Sequence, residues 1–147
     1  MKSKATVGIL VVCGFFLVTL GYGAFPGSQT KTVADGVYTS AQADRGMQVL
    51  ENFGCRNCHG TQLEGGPEEE PPLLGEQFVG LWSGRKLDEL AEKITMMPAD
   101  RAPQDQVRPA AAVDVVAYIL RLNGYPEGKA ELPSDPAVLK LIEIVAP

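Results

Sequence analysis

The sequence predicts an all-α domain built on three main helices. Three observations carry that prediction. Apolar residues recur at helical spacing in three separate segments. Cap and breaker residues bound each of those segments. No stretch alternates apolar and polar residues as a half-buried strand would, and no internal repeat is present. The composition agrees, since 45% hydrophobic and 21% charged residues is an ordinary globular mixture. With the N-terminal segment set aside, about 110 to 120 residues remain, enough to bury a modest core.

The chain opens with Lys2 and Lys4, and residues 5–30 then carry no charge. The apolar heart is residues 7–20, followed by Gly21 and Gly23. A basic start, a short apolar core and small residues at a cleavage point describe a secretory signal over residues 1–23. The alternative is an uncleaved membrane anchor, because the uncharged stretch from Val7 to Phe25 approaches the ~20 residues a spanning helix needs. Cys13 fills the apolar run, with Val12 before it where lipidation calls for a small residue. Under either reading the lysines stay inside, so the globular part is periplasmic or otherwise extracytoplasmic. Residues 24–37 read as a linker.

The first helix is expected over residues 40–53, with Ser40 as N-cap and Asp44 in the first turn. Met47, Leu50 and Phe53 give it one apolar stripe, and Gly54 stops it. Residues 60–80 are rich in glycine and proline and read as a loop, with at most a short helical turn over 76–79. A loop of that length is expected to wrap something. Glu68 to Glu70 read as its solvated tip. A middle helix over 85–94 presents Leu87, Leu90, Ala91 and Ile94 on one face. Residues 95–106 form a loop punctuated by Pro98 and Pro103. The last long helix starts at Pro109, a residue suited to the first helical position. Val113, Val116, Ala117 and Leu120 line its apolar face, and Asn123-Gly124 ends it. One further turn is expected within residues 136–142.

The chemistry concentrates in Cys55-Arg56-Asn57-Cys58-His59. A Cys-x-x-Cys-His run is the pattern of c-type haem attachment. Each thiol adds across one haem vinyl group, the two-residue spacer matches the vinyl separation, and the histidine reaches the iron. A thioredoxin-like pair would need a βαβ setting. A structural zinc site would need four ligands, whereas His59 is the only histidine and no second cysteine pair exists. With no other histidine, a methionine is the natural sixth ligand of the iron, and Met/His ligation raises the reduction potential. Met47 is explained by core packing on the first helix. Met97, directly before Pro98, is the preferred ligand, with Met96 packing against the haem edge or the core. The competing readings are an open sixth site, or both methionines in the core.

The formal charge of -5 makes nucleic acid an unsuitable partner. Loss of Lys2 and Lys4 with a signal segment, and two haem propionates, would make it more negative. A basic patch on a redox partner suits this balance.

The chain resembles the class I cytochromes c. The matching pieces are residues 38–46 (Tyr-Thr-Ser-Ala-Gln-Ala-Asp-Arg-Gly), 55–60, 71–75 (Pro-Pro-Leu-Leu-Gly), Trp82, Met97-Pro98, 114–120 (Asp-Val-Val-Ala-Tyr-Ile-Leu) and Asn123-Gly124. They cover most of a domain over 38–126, leaving 127–147 as a C-terminal extension. The resemblance implies a cytochrome c fold, three main helices around one covalent haem c, and electron transfer rather than enzyme activity. It implies a close crossing of the first and last helices at Gly46 and Tyr118. It implies a hydrogen bond from His59 to a proline carbonyl, Pro71 matching best and Pro72 second, and a haem propionate contact for Trp82. Expected partners are a dehydrogenase donor and an oxidase or cytochrome acceptor. Two alternatives remain at this level: a haem subunit of a dehydrogenase or oxidase complex, and a haem-based sensor with a labile sixth ligand.

Overall fold

A computed structural model describes residues 30–66 and 70–147. The expected signal or anchor over 1–23, Cys13, the linker before Thr30, and Glu68 and Glu69 lie outside the described residues. The described chain is a small, mostly helical domain. Its four main helices are α1 (Ser40–Phe53), α3 (Gly75–Trp82), α4 (Leu87–Thr95) and α5 (Pro109–Leu122); α2 (Arg56–His59) and α6 (Pro136–Leu139) are single turns. Two corrections to the sequence reading follow. The short turn expected over 76–79 is a full two-turn helix, α3. A pair of two-residue strands is also present, β1 (Lys31–Thr32) running parallel to β2 (Ile142–Glu143), with Lys31 opposite Ile142 and Thr32 opposite Glu143. Among the described residues no helix is long and apolar enough to cross a membrane.

Helix α1 has the expected extent but a different cap. Thr39, not Ser40, accepts the hydrogen bond from the Gln42 N–H at 3.2 Å. Asp44 lies beyond the first turn and accepts instead from Arg121 on α5 at 2.7 Å. Gly54 ends the helix in the left-handed conformation, φ 69°. The buried face is Gln42, Ala43, Gly46 and Leu50. Met47 is 39% exposed and is not a core residue. Leu50 of the expected stripe is buried and Phe53 packs half-buried against the core, so only Met47 departs from it, and α5 closes instead on its neighbour Gly46. A Cβ added to Gly46 would lie 1.9 Å from the Asp114 carbonyl oxygen and 3.0 Å from the Tyr118 Cβ.

Helix α5 buries eight residues, from Ala112 to Leu120, rather than a single stripe. Both α1 and α4 pack on it, so two of its faces leave water. Helix α4 buries the four residues its periodicity predicts, Leu87, Leu90, Ala91 and Ile94. Leu87, Leu90 and Ile94 each contribute about 1.5–3 kcal/mol when fully buried, and the Ala91 methyl about 0.8 kcal/mol.

The two ends of the described chain join this core. Val33 and Val37 are buried within it, as are Leu132, Leu139, Ile142 and Ile144 from residues 127–147. The tail is bonded to the rest at several points. Gln42, almost fully buried, accepts from the Leu132 N–H at 2.8 Å and donates to the Leu132 carbonyl at 3.0 Å. Tyr38 donates to the Tyr125 carbonyl at 2.8 Å, and Ile144 N–H donates to the Arg85 carbonyl at 2.8 Å. Arg45 on α1 grips Asp114 on α5 and Glu131 in the tail with the same guanidinium.

Candidate functional site

Gly54 turns the chain out of α1 and straight into α2. The His59 N–H donates to the Cys55 carbonyl at 3.0 Å and the Cys58 N–H to the same oxygen at 3.3 Å, so residues 55–59 make one helical turn. Cys55, Cys58 and His59 stand at i, i+3 and i+4, which places all three on one face. Neither cysteine is in a disulfide; Cys55 is half-buried and Cys58 exposed. Arg56 is held off that face by Glu51 at 2.7 Å and by the Thr61 carbonyl.

His59 Nδ1 lies 2.8 Å from the Pro71 carbonyl oxygen. A carbonyl only accepts, so Nδ1 is the donor, and in the neutral ring the lone pair is on Nε2. The ring is therefore oriented and left with one nitrogen free to bind a metal, an arrangement that also raises ligand basicity. The loop that brings Pro71 there is folded tightly on α2. Gly65 N–H donates to the His59 carbonyl at 2.8 Å. A Cβ on Gly66 would lie 2.0 Å from the Cys58 carbonyl oxygen, so only glycine allows that approach. Leu63 adopts φ 67°, unusual for leucine, and is fully buried. Its burial offsets the conformational cost, which is on the order of 1–3 kcal/mol.

Leu50, Leu63 and Tyr118 form a small apolar cluster against which Cys55, Leu73 and Leu74 pack. Burial pushes the Cys55 thiol up, with Cys58 and Glu51 acting the same way; a backbone hydrogen bond and, more weakly, Arg101 oppose them without reversing the shift. A dithiol built for exchange chemistry needs the opposite, a thiol pushed down toward thiolate. Among the described residues no group of three or more His, Cys, Asp or Glu converges as a metal cage, so the four ligands of a structural zinc are not assembled here. Two free thiols and one oriented imidazole on a single face are the donor set that a covalently attached haem requires, and these residues fit it.

Met97 and Trp82 lie on other segments, each held by partners of its own. Met97 follows the end of α4 and is half-buried. Its N–H donates to the Ile94 carbonyl at 3.0 Å and its carbonyl accepts from Val107 at 2.8 Å. Met96 is 45% exposed, which removes it from the protein core. Trp82 ends α3, with the Phe78 ring 6.4 Å away and the Arg85 guanidinium over its own ring at 4.5 Å. A cavity of about 620 Å³ opens between Phe53, Ala111 and residues 101–108, but Cys58, His59 and Met97 do not line it.

Two amide side chains support the site without any prior signal of their own. Asn123, legible only as a helix stop, accepts from the Gly75 N–H at 2.9 Å and donates to the Leu73 carbonyl at 3.0 Å and the Ile119 carbonyl at 2.8 Å. It thereby ties the loop carrying Pro71 to the end of α5. Gln106 donates to the Met96 carbonyl before Met97 and to the Pro98 and Arg101 carbonyls after it. Compared with family models, curated proteins and solved structures, the chain matches none of them.

Proposed function

We propose that this chain is a single-haem electron carrier of the class I cytochrome c type, joined to its haem through Cys55 and Cys58, with His59 and Met97 as axial ligands. The observation that carries this reading is the shared face of Cys55, Cys58 and His59, with the His59 Nδ1 proton given to Pro71. When bound, the haem supplies a ferrous/ferric one-electron couple. The chain's own residues do the rest. The two thiols would anchor the group, and Pro71, by fixing the His59 ring through Nδ1, would leave Nε2 available as a ligand. The Met97 thioether would serve as the second protein ligand, a donor that favours the reduced state of the iron. Leu63, Leu73 and Leu74 keep water from the side of the site beside Cys55. An iron held by both His59 and Met97 would offer no open site to a substrate, which favours a carrier over an enzyme. It would exchange electrons outside the cytoplasm with redox proteins, a dehydrogenase as donor and an oxidase or another cytochrome as acceptor.

The test is mass spectrometry and visible spectroscopy on the full chain expressed in a host that exports proteins and attaches haem. The expected product carries one haem that acidic organic solvent does not extract, and the Cys55→Ser/Cys58→Ser variant carries none. The ferrous wild type should ignore carbon monoxide, and Met97→Ala should bind it. A wild type without covalent haem defeats the attachment. A wild type that binds carbon monoxide readily defeats the carrier reading in favour of a sensor.

A further inference from the structure

We infer that Gln106 is a positioning residue for Met97, setting how firmly the thioether is presented to the iron; this role rests on the His59/Met97 ligation proposed above. Residues 97–107 form a loop closed at its neck. On one side the Met97 N–H is bonded to Ile94, which is buried on α4. On the other side the Met97 carbonyl is bonded to Val107, which is 2% exposed and anchored in the core. The loop between has few helix partners for its backbone, apart from the single 3-10 turn at Pro103–Asp105.

Gln106 serves that backbone. Its Nε2 lies 3.0 Å from the Met96 carbonyl, 3.3 Å from the Pro98 carbonyl and 3.3 Å from the Arg101 carbonyl. An amide nitrogen carries two hydrogens, here shared over three acceptors. Two of those acceptors belong to the residues on either side of Met97. One side chain therefore bridges the peptide units that flank the ligand, while Val107 and Ile94 hold the ligand's own. A thioether is a weak, neutral donor, and its hold on a metal depends on being presented in the right place by a rigid backbone. All three hydrogen-bond partners of Gln106 are backbone carbonyls, so the effect is one of positioning, transmitted through the backbone.

The experiment compares haem-loaded wild type with Gln106→Ala and Gln106→Glu. Glutamate is nearly isosteric but places an acceptor among three carbonyls. Three readouts are taken: the far-red absorption band of Met-ligated ferric haem, carbon monoxide uptake by the ferrous protein, and hydrogen exchange at the Val107 amide and at residues 55–59. The expected result is a weakened far-red band and carbon monoxide uptake raised on the order of tenfold, from the loss of one or two hydrogen bonds. Val107 should exchange faster while 55–59 keep wild-type protection. If Val107 exchanges faster but both haem readouts match wild type, Gln106 merely fastens the loop and the inference is overturned. If wild type itself lacks the far-red band and takes up carbon monoxide, the ligation reading has failed first, a result visible before any variant is compared. Should Gln106→Ala not fold, Gln106→Asn, which keeps the amide one methylene short, is read by the same criteria.

Discussion

Replacing Gly46 with alanine sets two effects of opposite sign against each other. Alanine is the better helix former by about 1 kcal/mol, so in an open helix the change would stabilise. Gly46, however, lies where α1 meets α5. The new Cβ would sit 1.9 Å from the Asp114 carbonyl oxygen and 2.5 Å from its carbon, and real Cβ contacts do not fall below 3.0 Å. The obstacle is helix backbone, which cannot rotate aside as a side chain can. The crossing must open by about 1 Å, loosening the packing of Ala43 and Leu50 against α5. Overpacking of that kind costs about 1–3 kcal/mol, and a backbone clash belongs at the upper end. The net expectation is a loss of about 2 kcal/mol, or roughly 10 °C in melting temperature for a domain of this size. Gly80 provides the control. It lies within α3 with nothing within 4 Å of an added Cβ, so Gly80→Ala should raise the melting temperature by a few degrees. Thermal unfolding of the two variants by circular dichroism is the assay. A Gly46→Ala variant as stable as wild type would show that the helices do not approach this closely.

Three other outcomes are expected. Gln42→Ala leaves the buried N–H and carbonyl of Leu132 without their partner and should cost about 2–4 kcal/mol in urea unfolding; a change under 0.5 kcal/mol would mean the tail is not held as described. Asn123→Ala frees the Leu73 and Gly75 backbone and should speed hydrogen exchange at Gly75, whereas unchanged exchange there would remove Asn123 as a clasp. The Glu131 carboxyl is held below its ordinary value of 4.5 by Arg45, so its contribution is present above that value and lost as the pH falls through the lower, folded-state value. Glu131→Gln should accordingly flatten the acid side of the stability profile, and an unaltered slope would show the pair to be fully screened.

The legible parts of the fold are those in which one local pattern decides the outcome. Helix α4 carries a single apolar stripe, and its four stripe residues are its four buried ones. The ends of α1 and α5 are marked by Gly54 and by Asn123-Gly124. Helix α3 is obscured because Gly75 and Gly80 lower its propensity and the two prolines before it suggest a loop; burial of Phe78 and packing of Trp82 override that local preference. Met47 misleads because it stands at helical spacing with Leu50, whereas the close crossing with α5 is made at its neighbour Gly46. At the site, the spacing of Cys55, Cys58 and His59 is local and plain. The oxygen that orients His59 is a backbone carbonyl twelve residues away, which no composition or periodicity can reveal.

The unforeseen residues share a chemistry. Gln42, Gln106 and Asn123 each bond backbone groups of an irregular segment: the tail at Leu132, the loop around Met97 and the loop after Pro71. In a domain made mostly of helices, such segments have no ladder of their own, and buried backbone N–H and carbonyl groups must still be paired. Asparagine and glutamine are the neutral side chains with separate donor and acceptor groups. Gln42 uses both on one residue, and Asn123 uses both across three, where a buried charged side chain would carry a desolvation penalty of its own. Two of the three amides act on loops tied to the proposed ligands: Gln106 on the loop that carries Met97, and Asn123 on the loop whose Pro71 carbonyl accepts from His59. The electron carrier proposed above would change charge without changing shape, and neutral amides would hold those loops by bonds indifferent to charge.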